Sequence, residues 1–195
     1  MDLKAFECDS ELMKLIKEIN SSSSPKKVKP ATLVLIFNKD KSKVLLGHKK
    51  RGFGVGLLNG FGGKIEPQET DLEGAERELE EEAGIKSNSL KKIGVLYFEF
   101  ESDPVILTAH VFTSAEYSGE IIETEEMRPD WFDTNNMPFD RMWNDDKFWF
   151  SYAIESTPFI ARFYFKSDLK TITDFKISKI DSKLLNEIPV WHNKE

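Results

Sequence analysis

Glu73, Glu76, Glu78, Glu80, Glu81 and Glu82 crowd one short stretch, with Glu69 and Arg77 beside them. On a helix, at about 100° per residue, Glu78, Glu81 and Glu82 fall within an arc of about 100°. Glu73, Glu76 and Glu80 then turn outward. Carboxylates gathered on one patch repel each other. A hard cation with oxygen ligands removes that cost. A cation held there also offsets phosphate charge and lowers the pKa of a bound water, which is the chemistry of phosphate-bond hydrolysis. Charge alone leaves a plainer reading open, a solvated acidic helix face.

The elements that must position these groups are legible on either side. Thr70 suits an N-cap, Glu73 completes a capping box, and Gly84 followed by Ile85 suits a left-handed C-cap. The spacing predicts a helix over 71–83, with Leu72, Ala75, Leu79 and Ala83 packing on a sheet. Strands are predicted at 32–37, 43–47, 92–100, 104–113 and 159–166, and a weaker one at 171–180. A second helix is predicted at 145–155. Strands mixed with two helices, without strict alternation, predict an α+β fold or a helix-flanked mixed sheet.

Residues 1–30 read as an N-terminal extension: apolar Leu12, Leu15, Ile16 and Ile19 fit a short helix near 9–20, and 21–30 fit a linker. A domain is expected over 31–182 and a tail over 183–195. The net charge of -7 argues against a long nucleic acid as partner. Cys8 is the lone cysteine, which fits a reducing compartment such as the cytoplasm. No apolar run is long enough for a membrane span. His48, His110 and His192 show no metal-site spacing and read as structural or surface residues.

Gly63, Glu69, Arg77-Glu78-Leu79, Glu81-Glu82 and Gly84-Ile85 resemble the complete signature box of the Nudix hydrolases. The resemblance implies a Nudix fold, a mixed β-sheet sandwiched between α-helices, with Mg2+ (or Mn2+) as cofactor. It implies Glu78, Glu81 and Glu82 as metal ligands, with Gly62 contributing backbone and Glu126 an outer ligand. Arg77 would hold Glu69 and orient the carboxylates. Glu81 or Glu82 would be the general base, with Glu126 as the alternative.

The likeness extends outside the box. Lys49-Lys50-Arg51-Gly52-Phe53-Gly54, Asn59-Gly60-Phe61-Gly62-Gly63-Lys64, Phe98-Glu99-Phe100, Glu126-Met127-Arg128-Pro129, Trp131-Phe132 and Met142-Trp143-Asn144-Asp145-Asp146 are similar to the MutT-type subgroup of animals, over roughly 31–178. That subgroup hydrolyses oxidised purine nucleoside triphosphates such as 8-oxo-dGTP and 2-hydroxy-dATP to monophosphate and pyrophosphate. By this likeness Trp143 stacks on the purine, Asp145 and Asp146 pair with its edge, and Asn59 bonds from the other side. Phe53, Phe98 and Trp149 are apolar walls and Thr32 lies at the floor. Lys49 touches sugar or phosphate, and the backbone of Gly62, Gly63 and Lys64 approaches the phosphates. Each residue also has a plainer reading: Phe53 and Phe98 as core, Trp143 as a cover on the helix that follows, and the Asp pair as its first residues.

The expected protein is therefore a monomeric enzyme acting on modified purine nucleoside triphosphates. Two other readings are hydrolysis of a dinucleoside polyphosphate or nucleotide sugar, and a non-catalytic nucleotide-binding scaffold. The intact box opposes the last. Leu57-Leu58, Leu107 and Thr108 depart from the subgroup pattern and leave the order of substrates open.

Overall fold

The computed structural model describes residues 27–190, together with Lys14 and Lys17. The helix expected near 9–20 otherwise lies outside the described residues, as does His192. The strands are β1 (Lys27–Phe37), β2 (Lys43–Lys49), β3 (Leu58–Asn59), β4 (Ile85–Lys86), β5 (Lys91–Phe100), β6 (Asp103–Ser114), β7 (Ser118–Gly119), β8 (Met127–Asp133), β9 (Phe159–Phe165) and β10 (Ile172–Lys179). The helices are α1 (Asp71–Ala83), α2 (Asp146–Ile154) and the short α3 (Ser182–Asn186).

The main sheet runs β10-β9-β5-β6-β1-β2-β3, with β8 on the other side of β2. It is mixed: β1 is parallel to β6 and β5 to β9, whereas β5–β6, β9–β10, β1–β2 and β2–β8 are antiparallel. Successive strand residues face opposite sides. In β1, Val34 and Ile36 pack with Ala75, Leu79 and Ala83 of α1. Leu35 and Phe37 share the opposite cluster with Trp149, Phe150 and Ala153 of α2. A third cluster seats Leu185 of α3, and Ile188, on Val95 and Tyr97. The expected α+β architecture, a sheet between helices, is thus present.

The local signals for α1 are present. Thr70 accepts from the backbone N–H of Glu73, Glu73 returns the bond, and Gly84 takes φ 74°. Leu72 is a correction: it is 39% exposed. It shares the inward flank by geometry, but it stands in the first turn and lines an open groove with Leu90 and Phe112, where no described element covers it. Two boundaries also differ from expectation. Lys27–Pro30, read as linker, begins β1, because β6 offers a parallel partner from Val105 onward and Val28 and Pro30 face inward. Asp181 caps α3 through the N–H of Lys183, so a helix runs across residue 183, where the tail was expected to begin.

The segment Asn59–Lys64 matters most for the site. β1 meets β2 only at Ile36↔Leu45 and Phe37↔Val44. Beyond that point the two strands part and 59–64 lies between them. Asn59 pairs with Gly47, while Phe61 and Lys64 bridge to Val34 and Ala31. The N–H of Thr32 donates to the Gly63 carbonyl across 2.8 Å. A glycine loop therefore sits within the sheet, reachable from the α1 side and from the α2 side.

Candidate active site

α1 presents its carboxylates to that loop. Glu82 is buried, 3% exposed, and accepts from the Gly62 N–H at 2.8 Å. Glu78 is nearly buried and lies against Gly63. A Cβ on Gly63 would stand 2.5 Å from the Glu78 Oε1, so only glycine leaves the carboxylate its place. Burial pushes the carboxyls of Glu78 and Glu82 up from their usual range. Glu81 is different: its side chain is 59% exposed and its nearest ionic partner is Arg77 at 3.4 Å. Glu73, Glu76 and Glu80 face solvent.

Arg77 organises the outer side. Its Nε and Nη2 donate to the two oxygens of Glu69 at 2.6 and 2.9 Å. Its Nη1 donates to Glu78 at 2.7 Å and its Nη2 to the Lys64 carbonyl at 3.1 Å. The bidentate pair suits the planar guanidinium. The Arg77 bond holds the Glu69 carboxyl down at about 2. One arginine thus links the box helix, the loop before it and the glycine loop.

The pairing of β2 with β8 sets Lys49 opposite Met127, and Glu126 stands just before it. Lys49 Nζ donates to Glu82 at 2.9 Å and to Glu126 at 2.5 Å. Burial lowers the Lys49 pKa, but its two carboxylate partners outweigh burial and raise it overall. The Lys49 bond also draws Glu126 below its usual range. A positive charge already lies between these two carboxylates. The carboxylate oxygens of Glu78, Glu82 and Glu126 are of the donor type that a hard divalent cation takes, with Lys49 Nζ on two of them. Among the described residues no three Asp, Glu, His or Cys side chains are gathered so as to hold a metal ion.

On the α2 side a cavity of about 540 Å³ opens. It brings together Thr32, Lys49, Phe53, Asn59, Gly62, Gly63, Lys64, Phe98, Glu126, Trp143, Asp145, Asp146 and Trp149. Of these lining residues Asp145 and Asp146 are each only 3% exposed. The Trp149 indole N–H donates to Asp145, and the Trp143 backbone N–H to Asp146, each at 3.0 Å. Burial raises both carboxyls, and the Asp145 charge raises Asp146 further. Phe53 is not core: it is 60% exposed and stacks on Trp143 with ring centroids 4.8 Å apart. Lys64 stands at the rim, its side chain 71% exposed. Glu78, Glu81, Glu82, Arg77 and Glu69 are outside this lining and meet it through Gly62, Gly63 and Lys49.

The sequence reading missed several lining residues, among them Leu33, Leu96, Phe100, Phe165 and Leu169. For the first four a signal existed. Strand alternation puts Leu33 with Leu35, Leu96 and Phe100 with Phe98, and Phe165 with Phe163. Leu169, in the β9–β10 turn, had none.

The NUDIX domain model matches residues 27–152. The chain belongs to the Nudix family, and its fold and box are those of a Nudix hydrolase, a class that uses a divalent metal. It is 42% identical over 151 residues to the oxidized purine nucleoside triphosphate hydrolase of Mus musculus, covering 77% of this chain and 95% of that protein. It is also 42% identical over 150 residues to the protein of the same name from Danio rerio, covering 77% and 94%. The fold is similar to that of a MutT protein from Bacillus halodurans, with a TM-score of 0.67 at 23% identity over 76% of this chain and 97% of that one.

Proposed function

We propose that this protein hydrolyses oxidised or otherwise modified purine nucleoside triphosphates to monophosphate and pyrophosphate. The observation that carries the reading is one cavity lined both by the buried Asp145–Asp146 pair and by Lys49, Glu126 and the glycine loop. Its size suits one nucleoside. The activity for which the two relatives are named supports the substrate class.

In this reading Trp143 and Phe53 stack on the base, Asp145, Asp146 and Asn59 recognise its edge, and Thr32, Phe98 and Trp149 enclose it. Lys49, Lys64 and the N–H groups of Gly62 and Gly63 meet the phosphates. Glu78, Glu82 and Glu81 would hold magnesium, with Glu126 and the Gly62 backbone beside them. When bound, the metal supplies a Lewis acid and a water of lowered pKa. Arg77 and Glu69 keep Glu78 in place. Glu81 or Glu82, with Glu126 as the alternative, takes the proton of the attacking water. The site is complete within one chain, which fits a monomer, and the lone Cys8 fits the cytoplasm.

The test is kcat/KM with magnesium across 8-oxo-dGTP, 2-hydroxy-dATP, N6-methylated purine triphosphates and the normal nucleotides. Preference for a modified purine, with pyrophosphate as product, is expected. Faster cleavage of dinucleoside polyphosphates or nucleotide sugars overturns the substrate class. Tight purine binding without turnover makes the protein a scaffold instead.

A further inference from the structure

The turn between β9 and β10 holds a residue that the chemistry above does not use. The Lys166 N–H donates to the Thr171 carbonyl at 2.8 Å, and the Leu169 N–H to the Lys166 carbonyl at 3.0 Å. Asp168 fills the turn from inside. Its Oδ1 accepts from the N–H groups of Lys170 and Thr171 at 2.8 and 2.7 Å, and its Oδ2 from the Thr171 hydroxyl at 2.6 Å. Within this frame Leu169 takes φ 58°, in the left-handed region. Glycine, asparagine or aspartate occupies that region at less steric cost than leucine. A strained backbone persists only where its surroundings over-determine it, and such residues cluster at ligand sites.

Two further observations connect this leucine to the site. Leu169 lines the same cavity as the Asp pair, together with Phe165 and Trp149, yet it is still 37% exposed, as a residue at a mouth would be. In addition, the Asn144 Nδ2 donates to the Lys170 carbonyl across 2.7 Å. Asn144 stands between Trp143 and Asp145 in the chain. One hydrogen bond therefore ties the turn to the segment that carries the base-facing side chains.

We propose that Leu169 is a specificity-determining lip of the purine site, held over the cavity mouth by the Asn144–Lys170 bond; this rests on reading the cavity as a purine nucleotide site. The lip removes apolar base surface from water, which favours binding in proportion to the area covered. It also keeps solvent from the Asp145–Asp146 edge, where water would compete for the bonds that distinguish one purine from another. The left-handed backbone is what lets a short turn present a large apolar side chain there.

The test separates the side chain from the turn. Leu169→Gly and Leu169→Asn both tolerate the left-handed backbone, so the turn survives while the apolar lip goes. Leu169→Met keeps an apolar side chain of similar volume. Asn144→Ala frees the turn. Binding of 8-oxo-dGMP by calorimetry is read beside KM and kcat for 8-oxo-dGTP. Leu169→Gly and Leu169→Asn are expected to raise Kd and KM about tenfold, from the lost apolar contact, with kcat nearly unchanged and Tm not lowered. Leu169→Met stays close to wild type. Asn144→Ala gives a similar rise, and adding it to Leu169→Gly gives little more, because both remove one device. Wild-type Kd in both Leu169→Gly and Leu169→Asn overturns the lip. If the unaltered protein binds 8-oxo-dGMP but leaves the triphosphate uncut, the hydrolytic reading fails and the lip is still decided by Kd. If it binds no purine nucleotide, both readings fall.

Discussion

The Trp149 indole N–H donates to Asp145 across 3.0 Å, and both side chains are buried. Asp146, next in the chain, accepts instead from the Trp143 N–H. Each carboxylate thus has its own fixed donor. Burial raises both pKa values, and the charge of Asp145 raises Asp146 further. Such a pair keeps one proton to higher pH than a surface aspartate does. The protonated member donates to a base and the ionised one accepts.

Asp145→Asn and Asp146→Asn should therefore lose different substrates. The ratio of kcat/KM for 8-oxo-dGTP over 2-hydroxy-dATP is expected to differ about tenfold between the two variants, the worth of one mismatched buried hydrogen bond. The shared proton is present at low pH and leaves as pH rises through the raised pKa. The alkaline fall of kcat/KM should flatten in Asp146→Asn. Parallel losses on both substrates, with an unchanged pH profile, would count against a role for the pair in choosing bases.

Glu82 accepts from Gly62 and from Lys49 while nearly closed to solvent. Glutamine keeps an oxygen for the Gly62 N–H but gives up the charge that a metal and Lys49 need. Glu82→Gln is expected to cut kcat at least about a hundredfold and to weaken Mn2+ binding, with Tm little changed. Turnover near wild type at saturating metal would sink the assignment of Glu82 as a ligand.

The Arg77–Glu69 contact is bidentate, and a third bond from the same guanidinium reaches Glu78. An ammonium cannot match that fork. Arg77→Lys should lower kcat/KM by about 10- to 100-fold, the usual effect of removing a group that orients a metal ligand. Restoring activity with excess metal would locate the defect in metal affinity. A lowered Tm with unchanged kcat/KM would make Arg77 a structural brace only.

Much of this arrangement was legible because it is local. The capping box at Thr70 and Glu73 and the left-handed Gly84 depend on neighbours in the chain, as does the outward turn of Glu73, Glu76 and Glu80. What escaped was set by distant partners. β8 carries Pro129, which withholds a ladder donor, and it pairs with β2 alone at the sheet edge, the place such a strand tolerates proline. α3 has five residues, too few for a helical period to register. The Lys49 bridge to Glu82 and Glu126 joins residues far apart in sequence, and no spacing rule reaches across that gap. Likewise, Leu169 lines the cavity from a turn in which it takes a φ unfavourable for leucine, and its residue type announces neither.

Asp71 offers a test of stability away from the chemistry. Its Oδ2 accepts from Lys92 Nζ and from His110 Nδ1, each at 2.9 Å, and the Lys92 side chain is only 8% exposed. Burial alone would raise the Asp71 carboxyl, but the His110 bond and the Lys92 charge outweigh it and bring it well below the usual carboxylate range. Burial keeps His110 below its ordinary value, so the ring is neutral near pH 7. A carboxyl whose folded pKa lies below its unfolded one stabilises the fold above about pH 4 and loses that contribution as pH falls toward the folded value. Asp71→Asn also leaves the Lys92 charge buried and unopposed, a loss of about 3 kcal/mol at neutral pH. Calorimetric Tm should therefore separate the two proteins widely at pH 7 and progressively less on acidification below about pH 4. A gap that stays constant to pH 3 would show that Asp71 stabilises by shape and not by charge.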